Sequence, residues 1–268
     1  MMTNYLTLSH QVAALCRETA QFILNEAKAF DPNKIEYKGL HDMVSYVDQE
    51  SERRLVARLR EILPAAGFIT EEGTAGAPDE SQEFTWIIDP LDGTTNFIHS
   101  LPVFAVSVAL LHGPELVVGV VHEANRDESF RAAKGHGAFC NEERMHVTGA
   151  LKLASSLIAT GFPYSKFAQL DQYLQVLGSY MQRTRGLRRM GSAATDLAYV
   201  AAGRVDGYFE FNVNSYDVAA GLLLVTEAGG RVTQFLEDGD PLFGREVVAS
   251  NGHLHDEMQT TIREFWTK

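Results

Sequence analysis

The sequence predicts a mixed α and β protein in which an α+β half is followed by an α/β half. Three observations carry this expectation. Apolar residues recur at helical steps up to about Leu63, they form strand-like runs between turns from Phe84 to about Phe139, and beyond Thr148 strand-like and helix-like segments alternate. The expected halves are residues 1–148 and 149–268, and no flexible linker marks the boundary.

Leu8, Val12, Leu15, Cys16, Thr19, Phe22 and Ile23 stand three and four residues apart, which predicts an amphipathic helix over Leu6 to Ala29, stopped by Asp31-Pro32. Val44 to Val47 reads as a short strand. Asp48 then precedes a helix over Gln49 to Leu63, with Leu55, Leu59, Ile62 and Leu63 on one face and Pro64 beyond it. Strands are expected at Phe84–Ile88, Val103–Leu111, Leu116–His122 and Ser129–Ala133, with Lys134-Gly135-His136-Gly137 as a hairpin turn. In the second half, strands are expected at Ser156–Thr160, Val205–Phe211, Val232-Thr233 and Val247–Ala249. Helices are expected at Lys166–Met181, Ala193–Ala202, Val218–Ala228 and Glu257–Trp266.

Composition narrows the function. The 268 residues include 23 Lys and Arg against 35 Asp and Glu, a formal charge of −12. That excess argues against nucleic acid, whose binding needs cationic side chains to displace counterions, and against a polybasic membrane surface. Leu101 to Val121 is the most apolar stretch, but His112-Gly113-Pro114-Glu115 divides it into pieces too short to span a bilayer. Met1 to His10 lacks the basic-then-apolar pattern of a signal peptide. Cys16 and Cys140 fit no metal or redox spacing, so a reducing, cytoplasmic setting is expected. No zinc-type histidine pair, Gly-x-Ser-x-Gly elbow or phosphate-binding Gly-x-x-x-x-Gly-Lys loop occurs. His41, His99 and His122 read best as structural. Arg183, Arg185, Arg188 and Arg189 form a short basic cluster that suits ion pairs, a subunit interface or a lip that attracts anionic substrate.

The informative segment is Trp86-Ile87-Ile88-Asp89-Pro90-Leu91-Asp92-Gly93-Thr94-Thr95-Asn96-Phe97. An apolar strand ends in one aspartate, a second follows three residues on, and the chain turns at Gly93 into two hydroxyl residues. Two carboxylates at the end of a rigid strand suit hard cations, and a helix starting at Gly93-Thr94-Thr95 would suit a phosphate. Taken alone, the same residues also describe a solvated turn. Phe68-Ile69-Thr70-Glu71-Glu72 places two more acids after an apolar strand. Ser215-Tyr216-Asp217 places one at the entrance of an apolar helix, where an N-cap is the ordinary reading.

Together these segments resemble the inositol monophosphatase family of metal-dependent, lithium-sensitive phosphatases. Asp89 to Phe97 resembles its first signature, and Tyr216 to Gly221 with Thr226 to Gly230 its second. Lys38 to Asp48, Lys134 to Asn141 and Gly191-Ser192-Ala193 extend the likeness along the chain. Tyr216 stands where Trp is usual, and Ser192 where Thr is frequent. The resemblance implies a layered αβαβα sandwich, a homodimer, and two or three Mg²⁺ per site. It implies that Glu71, Asp89 and the Leu91 carbonyl hold one Mg²⁺, and that Asp89, Asp92 and Asp217 hold a second. Thr94, paired with Asp48, would orient the attacking water, and the Gly93 and Thr94 N–H groups would receive phosphate. Glu210 would accept substrate hydroxyls beside Ser192 and Ala193.

Glu71, Asp89, Asp92 and Asp217 would repel a phosphate ester unless cations intervened, so metal is expected to be needed for substrate binding as well as catalysis. A two-ion site that clamps both the attacking and leaving oxygens predicts direct attack by water without a phosphoenzyme. The expected reaction is Mg²⁺-dependent hydrolysis of inositol monophosphate, a small phosphorylated polyol. Sugar bisphosphates, 3′-phosphoadenosine nucleotides, histidinol phosphate and NADP are alternative substrates of related enzymes, and a partner-binding role on the same fold is the alternative outside catalysis.

Overall fold

Leu8, Val12, Leu15, Cys16, Thr19 and Ile23 line the buried side of the first helix, α1 (Tyr5–Lys28), as their spacing predicts. The computed structural model describes residues 4–28, 35–37, 43–77, 82–164, 166–236 and 239–267. The expected stop at Asp31-Pro32, His41, and the resembling stretch 38–42 lie outside them. Strands β1 (Ile35–Tyr37) and β2 (Met43–Ser45) form an antiparallel pair.

Helix α2 (Tyr46–Ile62) begins three residues earlier than expected, so Asp48 lies in its first turn and Val47 is helical, not part of a strand. The reason is periodicity: Val47, Ser51, Leu55 and Leu59 recur every four residues and are all buried, a stripe that extends the helix back through Val47.

A seven-stranded sheet follows, in the order β3-β4-β5-β6-β7-β8-β9. Its strands are β3 (Gly67–Thr70), β4 (Phe84–Asp92), β5 (Ala105–His112), β6 (Glu115–Glu123), β7 (Glu128–Ala133), β8 (Gly137–Cys140) and β9 (Glu143–Arg144), with the short helix α3 (Thr94–Ile98) between β4 and β5. The second sheet has the order β11-β10-β12-β14-β13. It contains β10 (Leu157–Thr160), β11 (Gly186–Arg188), β12 (Gly207–Phe211), β13 (Arg231–Thr233) and β14 (Glu246–Ser250). Its helices are α4 (Leu170–Arg183), α5 (Ala193–Ala201), α6 (Ser215–Glu227) and α7 (His255–Arg263). Strand β11 has no counterpart in the sequence reading.

The apolar clusters show how the layers stack. Val106, Val108 and Leu110 of β5 pack with α1 and α2, while Ala105, Ala109 and Leu111 face the opposite way, toward α5 and α6. Tyr208, Val247 and Ala249 of the second sheet join that middle cluster, and Phe209 and Val248 turn outward to Tyr173, Tyr180, Met258 and Trp266. The order is therefore α1/α2, seven-stranded sheet, α5/α6, five-stranded sheet, α4/α7: the αβαβα sandwich that the resemblance implies. Both sheets are covered on both faces, which is why their strands alternate between two apolar sets instead of between apolar and polar. Close approach between layers needs missing side chains. A Cβ on Gly119 of β6 would stand 2.8 Å from the Ala220 carbonyl oxygen, so Gly119 lets α6 lie directly on the sheet. Among the described residues, no helix is long and apolar enough to cross a membrane.

Candidate active site

Asp89 and Asp92 are three residues apart, and in a regular strand that spacing would put them on opposite faces. The ladder between β4 and β5 is irregular at this point. Asp89 pairs with Ser107 and Asp92 with Ala105, so three steps on β4 match two on β5. Pro90 lies in the gap and lacks the N–H that a continuous ladder would require. The extra residue acts as a bulge and returns Asp92 to the face occupied by Asp89. Leu91 N–H donates to Asp89 Oδ1 at 3.0 Å, and Thr94 Oγ1 donates to the Leu91 carbonyl at 3.0 Å, which ties the turn together. Gly93 closes it at φ +97°, and a Cβ there would meet the Val103 carbonyl at 3.0 Å.

Glu71 arrives from the neighbouring strand. Thr70 of β3 pairs with Ile88 of β4, so the next residue, Glu71, lies beside Asp89. The two carboxyls are hydrogen-bonded to each other. Asp217 comes from above the sheet, where Ser107 Oγ donates to the Tyr216 carbonyl at 3.4 Å and docks the start of α6 over β5. Asp217 is not the N-cap of α6. Asn214 takes that position and Asp217 is the third helical residue, with its Oδ2 accepting the Asn214 N–H at 2.5 Å in a capping box. The bond holds the carboxyl at the helix entrance.

Carboxylate oxygens of Asp89, Asp92 and Asp217 all lie within 4.8 Å of one another. Burial raises every member of this set, and for Glu71, Asp89 and Asp217 repulsion by neighbouring acids adds to it. Glu71 and Asp89 are pushed well above the usual carboxylate range, and Asp217 to about 8. Asp92 rises only to about 6, because Ser192 Oγ, the Ala194 N–H and the Ala193 N–H oppose its burial. Acids that repel one another in an all-oxygen cluster form a set that can hold a hard cation. Asp48 is buried in the first turn of α2, and its charge acts on Glu71.

The rest of the predicted site lies on the second sheet. Ser192 caps α5, accepting the Thr195 N–H, and the helix start delivers Ala193 and Ala194 to Asp92. Glu210, on β12, is pushed up to about 7 by burial, against the pull of the Tyr208 hydroxyl and the Arg189 guanidinium. Tyr208 OH donates to Glu210 Oε2 at 2.6 Å.

Sequence reasoning did not single out Asn96 or Asp196, and it placed Arg189 only within the basic cluster. Asn96 Nδ2 donates to the carbonyls of Val103 and Met190, at 2.7 and 2.8 Å, and so clasps the Gly93 turn to the Gly191 turn. Asp196, buried on α5, sits within electrostatic reach of Glu210 and Asp92. The only signal for it is an aspartate inside an otherwise apolar helix. Arg189 departs from the basic cluster altogether. Arg183 makes a bidentate pair with Glu264 at 2.6 and 2.7 Å, and Arg188 donates to its neighbour's carbonyl, while Arg189 bonds the Tyr164 hydroxyl beside the Gly191 turn.

These features have counterparts in known proteins. The chain is 40% identical over 250 residues to the Nus factor SuhB of Pseudomonas aeruginosa, covering 92% of each. It is 43% identical over 231 residues to an inositol-1-monophosphatase of Mesorhizobium japonicum, covering 86% of each. Its fold matches the crystal structure of the extragenic suppressor protein suhB from Bartonella henselae with a TM-score of 0.91 at 35% identity, covering 96% of this chain and 99% of that one. The family model for inositol monophosphatases matches residues 7–267, which takes in all but the first two residues of the αβαβα sandwich and every acid of the cluster. The chain belongs to the inositol monophosphatase family.

Proposed function

We propose that this chain is a Mg²⁺-dependent phosphoric monoester hydrolase whose substrate is an inositol monophosphate. One observation carries the reading: three carboxylates from two elements far apart in sequence, Asp89, Asp92 and Asp217, converge within 4.8 Å. A donor set made only of oxygen fits Mg²⁺ and not zinc. Glu71, Asp89 and the Leu91 carbonyl would hold one ion and Asp89, Asp92 and Asp217 a second, with Glu71 also within reach of a third. When bound, such ions offset the charge of the phosphate and lower the pKa of the attacking water.

The chain's own groups do the positioning. Thr94, anchored to the Leu91 carbonyl, and Asp48 orient the water, and the Gly93 and Thr94 N–H groups receive phosphate oxygens. Ser192 and Ala193 hold Asp92 and line the pocket, and Glu210 accepts hydroxyls of the leaving polyol. The identity to an inositol-1-monophosphatase supports this substrate class.

The test is release of phosphate from inositol 1-phosphate, fructose 1,6-bisphosphate, adenosine 3′,5′-bisphosphate, histidinol phosphate and NADP, with Mg²⁺ and with and without Li⁺. Release from the inositol ester, dependent on Mg²⁺ and inhibited by Li⁺, is the expected result. No release from any ester would overturn the reading and favour the second one, a partner-binding protein on the same fold. Similarity to relatives named Nus factors supports that alternative.

A further inference from the structure

Glu52 takes no part in the proposed hydrolysis, yet it is fully buried on α2, one turn beyond Asp48. Its carboxylate faces the loop that follows β3 and accepts three hydrogen bonds there. Oε2 accepts the Glu72 N–H at 2.7 Å, and Oε1 accepts both the N–H and the hydroxyl of Thr74, each at 2.7 Å. Gly73 stands between the two N–H groups at φ +70°, a left-handed conformation that turns the second toward the same carboxylate as the first. A concave turn of N–H groups suits an anion, and here the anion is a side chain of the protein itself.

That loop begins at Glu71. The Glu71 N–H donates to the Ile88 carbonyl at 3.3 Å, which continues the β3–β4 ladder to the residue beside Asp89. The next N–H, that of Glu72, is the one that Glu52 accepts. The backbone of Glu71 is therefore held at its own N–H by β4 and at the following N–H by α2, with its carboxyl hydrogen-bonded to that of Asp89.

We propose that Glu52 is a positioning residue for the metal site: it tethers the 72–74 loop so that the Glu71 carboxyl is aimed at Asp89 before any ion arrives. The inference rests on the phosphatase reading above, and it gives a task to an acid that touches neither metal nor substrate in that reading. Two arguments support it. Burying a carboxylate is unfavourable unless donors surround it, and the three donors here come from the one short loop that follows Glu71. Glu71 also lies among Asp48, Glu72 and Asp217, whose charges repel it. A fixed backbone keeps it beside Asp89 against that repulsion, and order present in advance is order that ion binding need not supply.

The experiment follows the Tm of the full chain against Mg²⁺ concentration, without substrate, for wild type, Glu52→Gln, Thr74→Val and Thr74→Ser. Tm in EDTA reads the structural cost, and the Mg²⁺ concentration needed to raise Tm reads the apparent dissociation constant. Glu52→Gln keeps the shape of the side chain but turns an NH2 group toward a donor of the loop. It is expected to weaken Mg²⁺ binding about tenfold, the lower end of what loss of an orienting partner costs. Thr74→Val removes one donor of the three and weakens binding about threefold, while Thr74→Ser keeps the hydroxyl and binds as wild type does. In phosphate release from inositol 1-phosphate, Glu52→Gln raises the Mg²⁺ concentration for half-maximal rate by the same factor, with kcat at saturating Mg²⁺ changed less than about threefold. An unchanged Mg²⁺ dependence in Glu52→Gln, whatever its Tm in EDTA, would overturn the positioning role and leave Glu52 a staple of the loop. If that variant does not fold, an unchanged dependence in Thr74→Val overturns it. A wild-type chain whose Tm ignores Mg²⁺ and that releases no phosphate would overturn the phosphatase reading itself.

Discussion

Ser192 Oγ donates to Asp92 Oδ2 at 2.6 Å, joining the cap of α5 to the last residue of β4 across one hundred residues of sequence. The same oxygen accepts the Ala194 N–H at 2.7 Å, so the positive end of α5 is directed at one carboxylate of the cluster. The bond both caps a helix and aims an acid.

Ser192→Ala is therefore expected to act twice. Loss of the cap costs about 1 kcal/mol, a fall in Tm of roughly 2–4 °C. Loss of the bond to Asp92 weakens Mg²⁺ binding by about 10–100-fold, the usual effect of removing a partner that orients a metal ligand. Thermal melting and a Mg²⁺ titration of phosphate release measure the two effects separately.

Asp92→Asn removes the acid itself, and turnover is expected to fall by more than about 100-fold, beyond what loss of an orienting partner costs. Its stability moves the other way. One charge fewer in a cluster that repels itself raises the Tm of the metal-free protein, as differential scanning calorimetry in EDTA reads directly. Normal turnover in this variant would remove Asp92 from the metal set.

The raised carboxyls make stability depend on pH in a defined direction. Asp92, Glu210 and Asp217 titrate near 6, 7 and 8 in the fold, against about 4 in an unfolded chain. Between those values the folded state holds more protons, so metal-free protein loses stability as pH rises from about 4 to about 8. Saturating Mg²⁺ is expected to flatten that slope, because it replaces the protons as the source of positive charge. Melting curves at pH 5 to 8.5, in EDTA and in Mg²⁺, check both expectations.

Gly119→Ala tests the stacking that positions Asp217. The added methyl would stand 2.8 Å from the Ala220 carbonyl oxygen and 3.1 Å from its Cα, both backbone atoms that cannot swing aside. Overpacking of this kind costs about 1–3 kcal/mol, and because it lifts α6 from β6 it also raises the Mg²⁺ concentration for half-maximal activity several-fold. A fall in Tm with an unaltered Mg²⁺ requirement would separate the packing of α6 from the position of its aspartate.

Much of the local structure was legible in the residues. The stripe from Leu8 to Ile23 specifies α1, and Pro90 between two aspartates interrupts a strand wherever it is placed. Glu71, Asp89, Asp92 and Asp217 stand out through the resemblance of their segments to the family's signatures, since taken alone Asp89 and Asp92 also describe a solvated turn and Asp217 an N-cap. The misreadings were also local. A strand over Val44 to Val47 runs too far, because the four-residue spacing of Val47 to Ser51 and Leu55 makes it helical, and the cap that Asp217 alone suggests is supplied by Asn214, three residues earlier.

The sequence by itself determined most of the strands and helices and which face of each is apolar, though not β11 or the start of α2, and its resemblance to the family marked the acids available for a metal. Only the tertiary structure decided which polar groups meet. Periodicity records an element's own faces, but the partners of Asp92, Arg189 and Asp196 depend on how α5 and the second sheet stack against β4. The bulge at Pro90 is the link between the two levels: a local break in a ladder brings Asp89 and Asp92 to one face, and the stacking of α6 on that face brings Asp217 to them.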